Sequence, residues 1–379
     1  MKTEWTVETL GKLCQIKTGK KDVNQGNPDG KYPFFTCAAS HTFSDTYSFD
    51  TEALLVAGNG DVGKVSYFKG KFEVYQRTYV LSDFVKVLPR FLYFILDGKL
   101  KDTVSKQKLG NTMPYIKIGM LSDFAVPVPP LPEQQRIVRI LDEAFEGIAS
   151  AKANAEHNLQ NARALFESHV EAVFTQRDEG WMEKQLVRCV EEVSTGPFGS
   201  ILHKSDYQHG GIPLVNPINI EGDKIVPDER KAVGKATAQR LARYALREND
   251  IVIARRGEIG RCAVVTRQQS GWLCGTGSFV IRPSDGTDPH FLTHLLRSRP
   301  YRGRLEGMAG RATMPSISNH DLANLVIRLP PVAQQCRMVA LIEELSGETE
   351  RLATLYERKL RVLEALKESL LHSAFSGNL

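Results

Sequence analysis

Two long stretches of this chain carry apolar residues at alternating steps of three and four. The first runs through Ile137, Ile140, Leu141, Ala144, Ile148, Ala151, Ala155, Leu159, Ala162, Leu165 and Phe166. The second runs through Met338, Leu341, Leu345, Leu352, Leu355, Val362, Leu363, Leu366 and Leu370. That spacing paints one stripe along a helix. No proline follows Pro132 until well past Gln176, so each stretch predicts one helix of about 40–45 residues, about 60–65 Å long. A helix of that length with one apolar stripe needs a partner. A globular segment lies between the two in the chain, so an antiparallel pair is the simplest closure. Pro129-Pro130 and Pro330-Pro331 stop the chain before each helix. Glu133 falls in a first turn, where a carboxylate favours the helix dipole. Alanines such as Ala151 and Ala155 permit close approach, and they are equally good helix formers in their own right.

The segments before each helix alternate short β-like runs with turns. Ala53–Val56, Val65–Phe68 and Val74–Leu81 read as strands, as do Ile251–Ala254, Cys262–Thr266 and Ser278–Ile281. Arg90–Leu96 and His290–Leu296 read as short helices. The expected fold class is therefore α+β: two mixed α/β domains with twisted sheets, separated by two long helices that form an antiparallel coiled coil.

The chain repeats itself. Thr112-Met113-Pro114 returns as Thr313-Met314-Pro315, 201 residues later. At that offset Leu121 matches Leu322, Pro129-Pro130 matches Pro330-Pro331, and Gln134, Arg136, Val138 and Phe174 match Gln335, Arg337, Val339 and Phe375. Upstream the match loosens: Phe91-Leu92 with Phe291-Leu292, Gly60–Gly63 with Gly257–Gly260, and Trp5 and Leu10 with Trp181 and Leu186. The helices resemble each other and the globular parts diverge, which suits one scaffold carrying two specificities. The domains are set at 1–130 and 179–330, with helices at 131–178 and 331–379.

Charge follows the same division. The net charge is +5 over 379 residues. Residues 1–130 carry +4 and residues 181–330 carry +6, against −4 for 131–180 and −1 for 331–379. Two basic blocks with acidic spacers suggest two contacts with a polyanion. Six scattered cysteines without a CxxC pair argue against a zinc site or disulfide framework and for reduced thiols. No apolar run approaches a membrane span, and no signal-like segment follows Met1, so a cytoplasmic protein without membrane contact is expected.

Gly58–Lys64 satisfies both GxGxxG and GxxxxGK. Both patterns need strand, loop, then helix. Here Val65–Phe68 continues as a β run, Val65 stands where a magnesium-binding hydroxyl belongs, and the second copy Arg255–Arg261 loses the first glycine. A basic turn between two strands explains both copies. No adenine-methyltransferase motif, HExxH or nuclease set is present, and His290/His294 is an i,i+4 pair without an accompanying carboxylate. No catalytic residue, metal ligand or cofactor-binding residue is therefore assigned.

Basic residues gather near predicted loops. The candidate DNA contacts are Lys17, Lys20, Lys21, Lys64, Arg77, Lys106 and Lys108 in the first domain. In the second they are Lys204, Arg255, Arg256, Arg261, Arg304 and Arg311. Residues 297–311 hold five arginines and one acid, and arginine suits phosphate forks and guanine edges.

Met113-Pro114, the run Val128–Ile137 and the helix after it, with Met314-Pro315, Leu329–Met338 and the last helix, resemble the specificity subunit of Type I restriction–modification systems. The resemblance spans essentially the whole chain, departing at Ala333-Gln334, where the first copy has Pro132-Glu133. It implies a non-catalytic subunit with two target-recognition domains, each reading half of a bipartite, asymmetric site in double-stranded DNA. It implies helices that set the spacing, and docking of two methyltransferase subunits and of restriction subunits for adenine methylation or cleavage. The junction residues Pro130, Gln134, Arg136, Pro331, Gln335 and Arg337 become candidate partner contacts. S-adenosylmethionine, ATP and magnesium then belong to the partners. The competing reading is a helical scaffold with two protein- or glycan-binding heads, which predicts no salt-dependent DNA affinity.

Overall fold

A computed structural model describes residues 5–38, 40–105, 115–175, 180–310 and 315–379. The chain divides into two compact units, residues 1–158 with 356–379, and residues 159–355. Each joins one head to two helix segments.

In the first unit the order is β1 (Thr6–Thr9), α1 (Leu10–Leu13), β2 (Gln15–Thr18), β3 (Tyr32–Phe35), β4 (Thr42–Ser44), β5 (Phe49–Ala57), β6 (Val65–Val74), β7 (Thr78–Ser82), α2 (Pro89–Ser105), α3 (Ile118–Ser122), β8 (Ala125–Val128) and the start of α4 (Leu131–Thr175). Six strands form one sheet, β2-β7-β5-β6-β3-β4, in which only β3 and β6 run parallel. The expected strand Val74–Leu81 is two strands. Val74 ends β6, and the Thr78 N–H donates to the Tyr75 carbonyl at 2.9 Å, closing a turn through Gln76-Arg77. An apolar count along the chain cannot see that reversal. The short helix expected at Arg90–Leu96 extends through Ser105.

The second unit continues with β9 (Met182–Gln185), β10 (Val190–Thr195), β11 (Tyr207–Gln208), β12 (Ile212–Val215), β13 (Ile220–Glu221), β14 (Lys224–Ile225), β15 (Ala232–Val233), α5 (Lys235–Arg240), β16 (Ile251–Ala254), β17 (Cys262–Val264), β18 (Leu273–Cys274), β19 (Ser278–Pro283), α6 (Pro289–Arg297), α7 (Arg299–Met308), α8 (Asn319–Ala323), β20 (Val326–Leu329) and α9 (Val332–Phe375). It holds two four-stranded sheets, β10-β19-β16-β17 and β11-β15-β12-β18, and the β13-β14 hairpin. The predicted strands at 251, 262 and 278 are β16, β17 and β19.

Both heads are tied at their ends. Thr6–Thr9 pairs antiparallel with Ala125–Val128, and Met182–Gln185 pairs antiparallel with Val326–Leu329. The chain thus leaves each head beside the point where it came in and turns directly into a long helix. That helix start is clamped from inside. Gln134 is fully buried; its amide donates to the carbonyls of Lys86 (2.9 Å) and Pro129 (2.8 Å), and its oxygen accepts from the Leu88 N–H at 2.8 Å. Gln335, equally buried, donates to Gly286 (3.2 Å) and Pro330 (2.8 Å) and accepts from the Asp288 N–H at 2.8 Å. Each glutamine satisfies three backbone groups that would otherwise be stranded.

The cores exchange helix ends. In the first unit Phe375 of α9 meets Phe91 with ring centroids 5.7 Å apart, and Trp5 lies 6.5 Å from Phe91. In the second, Phe174 of α4 meets Phe291 at 5.5 Å, and Trp181 lies at 6.2 Å. The repeat partners Phe174 and Phe375 therefore do one job, each in the core of a different head. Within the first unit the helix segments run antiparallel, as expected: Arg136 donates to the Leu379 carbonyl at 2.8 Å, and Lys152 faces Glu364 at 3.4 Å. At the end of α9, Gly377 takes φ +72° while the Asn378 N–H reaches back to the Ser373 carbonyl, a glycine-terminated cap. Among the described residues no helix is long and apolar enough to cross a membrane.

Candidate nucleic-acid interface

Gly58–Lys64 joins β5 to β6, and Arg255–Arg261 joins β16 to β17. Strand, turn, strand is what the two glycine patterns were expected to be. Gly60 and Gly63 take φ of +63° and +82°, and Gly257 and Gly260 take +74° and +83°. Side chains rarely adopt that region, so the spacing of the two surviving glycines is dictated by the turn.

The two turns hang on the same hydrogen bonds. In the first head the Ala57 N–H donates to Lys64 (2.9 Å), Gly58 to Arg77 (3.0 Å) and Ile116 to Gly58 (3.0 Å). In the second, Ala254 donates to Arg261 (2.8 Å), Arg255 to Gly277 (2.9 Å) and Ile317 to Arg255 (3.0 Å). Asn59 bridges to Tyr115, and Arg256 to Ser316. A Cβ on Gly58 would stand 2.4 Å from the Arg77 carbonyl, so the first head needs glycine there. In the second head the glycine of this contact is Gly277.

The candidate basic residues sit in different settings. Lys17 and Lys20 are exposed at and beyond the end of β2, and Arg77 is exposed in the turn before β7. Lys64 is half-buried and lines a cleft of about 80 Å³ with His41, Ser66 and Thr78. Arg255, Arg256 and Arg261 share one turn. Arg255 is partly committed, since its Nε donates to the Ile317 carbonyl at 3.2 Å and its guanidinium lies over Phe279. Arg261 pairs with Glu258. Lys204 is exposed on a short 3-10 turn, and Arg304 lies over Tyr301 and donates to the Val326 carbonyl at 3.3 Å.

Lys21 has a different task. Its ammonium sits 3.2 Å from the buried Glu73 carboxylate and donates to Ser44 (2.9 Å) and Thr46 (2.6 Å). A buried carboxylate must be neutralised, and Lys21 does that, leaving it little to offer DNA. Lys106, Lys108 and Arg311 lie outside the described residues, as do Thr112–Pro114 and Thr313-Met314.

The junction residues divide likewise. Pro130, Pro331 and Arg337 are exposed. Arg136 binds Glu133 at 2.8 Å, and that hydrogen bond holds the Glu133 carboxyl below its ordinary range. Gln134 and Gln335 offer a partner no surface; as candidate contacts they are corrected to internal clamps that aim the helix.

Sequence reasoning missed two exposed apolar side chains, Phe198 and Ile218, on the loops after β10 and β12. The signal existed: Thr18-Gly19 ends β2 as Thr195-Gly196 ends β10. A Cβ on either glycine would strike a backbone carbonyl, that of Val74 at 1.9 Å or of Gly275 at 2.1 Å. Burial pushes the thiols of Cys14, Cys262 and Cys274 up to about 12, which makes them poor nucleophiles. Among the described residues no group of His, Cys, Asp and Glu is placed to hold a metal ion.

Comparison with known proteins adds the following. Residues 2–157 and 187–357 match the family described as Type I restriction modification DNA specificity domain. The chain is 26% identical to the EcoDI specificity subunit of a Type I restriction enzyme from Escherichia coli, covering 99% of this chain and 89% of that one. It is 21% identical to the MjaVIII specificity subunit from Methanocaldococcus jannaschii, covering 99% and 93%. Among solved structures, a chain from a study of assembly and conformational transition of the type I R-M system matches with TM-score 0.77, 19% identity and coverage of 99% and 98%. The HsdS subunit from Thermoanaerobacter tengcongensis matches with TM-score 0.61, 17% identity and coverage of 100% and 98%. At these identities the two structures speak for the fold.

Proposed function

This chain belongs to the family of Type I restriction modification DNA specificity domains, and from that premise we propose that it is the non-catalytic specificity subunit of a Type I restriction–modification complex. The division of labour is residues 1–130 and 179–330 as target-recognition domains and residues 131–178 and 331–379 as spacer helices. Each domain reads one half of a bipartite, asymmetric site. The observation that carries this reading is the pair of turns hung on one set of hydrogen bonds and bearing different side chains, Gly58-Asn59 in one head and Arg255-Arg256 in the other.

The mechanism follows from that chemistry. Exposed Lys17, Lys20, Arg77 and Lys204 contact phosphates and release counterions, which gives affinity without sequence information. Side chains on the turns, Lys64 in the first head and the arginines in the second, meet base edges. The two helices hold the half-sites at one spacing. Two methyltransferase subunits dock at the helix junctions, near exposed Pro130, Pro331 and Arg337, and restriction subunits join that assembly. S-adenosylmethionine, ATP and magnesium are held by those partners. The methyltransferase takes its target adenine out of the stack, so this chain needs no base-modifying pocket.

The test is to co-purify the full chain with a methyltransferase subunit and map methylated adenines by sequencing. One split site of fixed spacing is expected. No methylation, with DNA affinity insensitive to salt, would favour a scaffold with protein- or glycan-binding heads instead. Lengthening both helices by a few residues at matched positions should change the preferred spacing.

A further inference from the structure

Three loops of the second head meet on the segment Gly275–Ser278. Gly196, at the end of β10, lies so close that a Cβ there would stand 2.1 Å from the Gly275 carbonyl, and its N–H donates to the Ser278 carbonyl at 3.2 Å. A Cβ on Gly277 would stand 2.9 Å from the Pro217 ring and 3.8 Å from Cγ of Arg256. Two glycines, Gly275 and Gly277, let the loops approach this closely, and the loops carry the exposed Phe198 (57%) and Ile218 (74%) and the half-buried Arg256. Only three buried polar side-chain atoms among the described residues have no hydrogen-bond partner, and two belong here, Arg256 Nε and Ser278 Oγ. The nearby Glu258 is taken by Arg261.

We infer that Arg256 is a specificity-determining residue of the second head, reading a guanine through its major-groove edge, with Ile218 and Phe198 as apolar shoulders. This rests on the DNA-reading role proposed above and deepens it. Arginine carries only donors, and guanine offers two acceptors, O6 and N7, side by side, whereas adenine and cytosine present a donor there. The apolar shoulders exclude water and so sharpen discrimination between bases; a phosphate contact gains nothing from them. No protein acceptor holds the buried Arg256 Nε, so the guanidinium is not committed to the fold through that atom. The first head lacks this device. Its equivalent turn residue is Asn59, 8% exposed, and its equivalent loops carry Lys20-Lys21 and Ala38. The guanine therefore belongs to the second half-site only.

The experiment selects preferred duplexes from a randomised pool with the full chain in its methyltransferase complex, comparing wild type with Arg256→Lys, Arg256→Ala and Ile218→Ser. The arginine variants are expected to lose about tenfold of preference at one G·C pair, in one half-site, with the other half-site and the spacing unchanged. Ile218→Ser, at an exposed position that folding tolerates, is expected to weaken that same preference by a smaller factor. An even loss of affinity across all sequences, with a shallower salt dependence, would identify a phosphate contact and overturn the assignment. So would unchanged preferences, or a change in both half-sites together. Absence of any sequence preference in the wild type would sink the parent reading, and this one with it.

Discussion

Around Gly58 and around Arg255 the backbone makes the same three bonds, yet the side chains differ in every property that matters to a ligand. The first turn offers glycine, asparagine and Lys64. The second offers three arginines, Arg255, Arg256 and Arg261. Hydrogen bonds and positive φ fix where a residue stands, and nothing in that arrangement fixes what it carries. The helix junctions behave oppositely. There the side chain itself makes the structure, and Gln134 and Gln335 repeat down to the individual acceptors. A protein that must keep its scaffold while changing its ligand separates the two in this way.

Substitutions in the shared scaffold are expected to have the largest effects. Phe375→Ala and Phe174→Ala should each cost about 3–4 kcal/mol, since each ring fills one core. Hydrogen exchange should show the loss in residues 1–130 for Phe375→Ala and in residues 179–330 for Phe174→Ala; loosening of both heads by either variant would refute the exchange of helix ends. Gln134→Leu and Gln335→Leu should each cost about 2–3 kcal/mol in denaturant unfolding, because three backbone groups lose their partners. A clearly unequal pair would mean that the two clamps are not equivalent.

Acid should separate the heads further. His294 of α6, half-buried and near Arg297, has its pKa lowered to about 4, chiefly by desolvation, where the first head has the buried Phe94. A depressed pKa means stability present above the unfolded value near 6.5 and lost as pH falls toward 4. His294→Phe should reduce that loss by on the order of 2 kcal/mol at pH 4, read as the difference between variant and wild-type unfolding curves. An identical pH profile would contradict the burial argument. The smallest effect is expected at Lys152→Ala, whose pair with Glu364 is exposed and worth about 0.5 kcal/mol or less.

The long helices were legible because their periodicity is local and unbroken from Ile137 to Phe166. The turns were legible as strand–turn–strand because Val65–Phe68 is β-like. Lys21 was not, because its partner Glu73 lies 52 residues away and no local pattern links them. The junction glutamines were visible as a repeat, but a repeat does not say whether a residue faces in or out. Phe198 and Ile218 escaped because the offset between copies drifts from 176 at Trp5 to 201 at Leu121. Insertions hide which loops correspond until the strands are paired.

On the function proposed above, each head reads its own half-site. That is tested most directly by replacing residues 179–330 with a second copy of residues 1–130, keeping both helices, and mapping methylated sites in the assembled complex. A symmetric site is expected, in which the first head's half appears on both sides. Retention of the wild-type asymmetric site would contradict that reading.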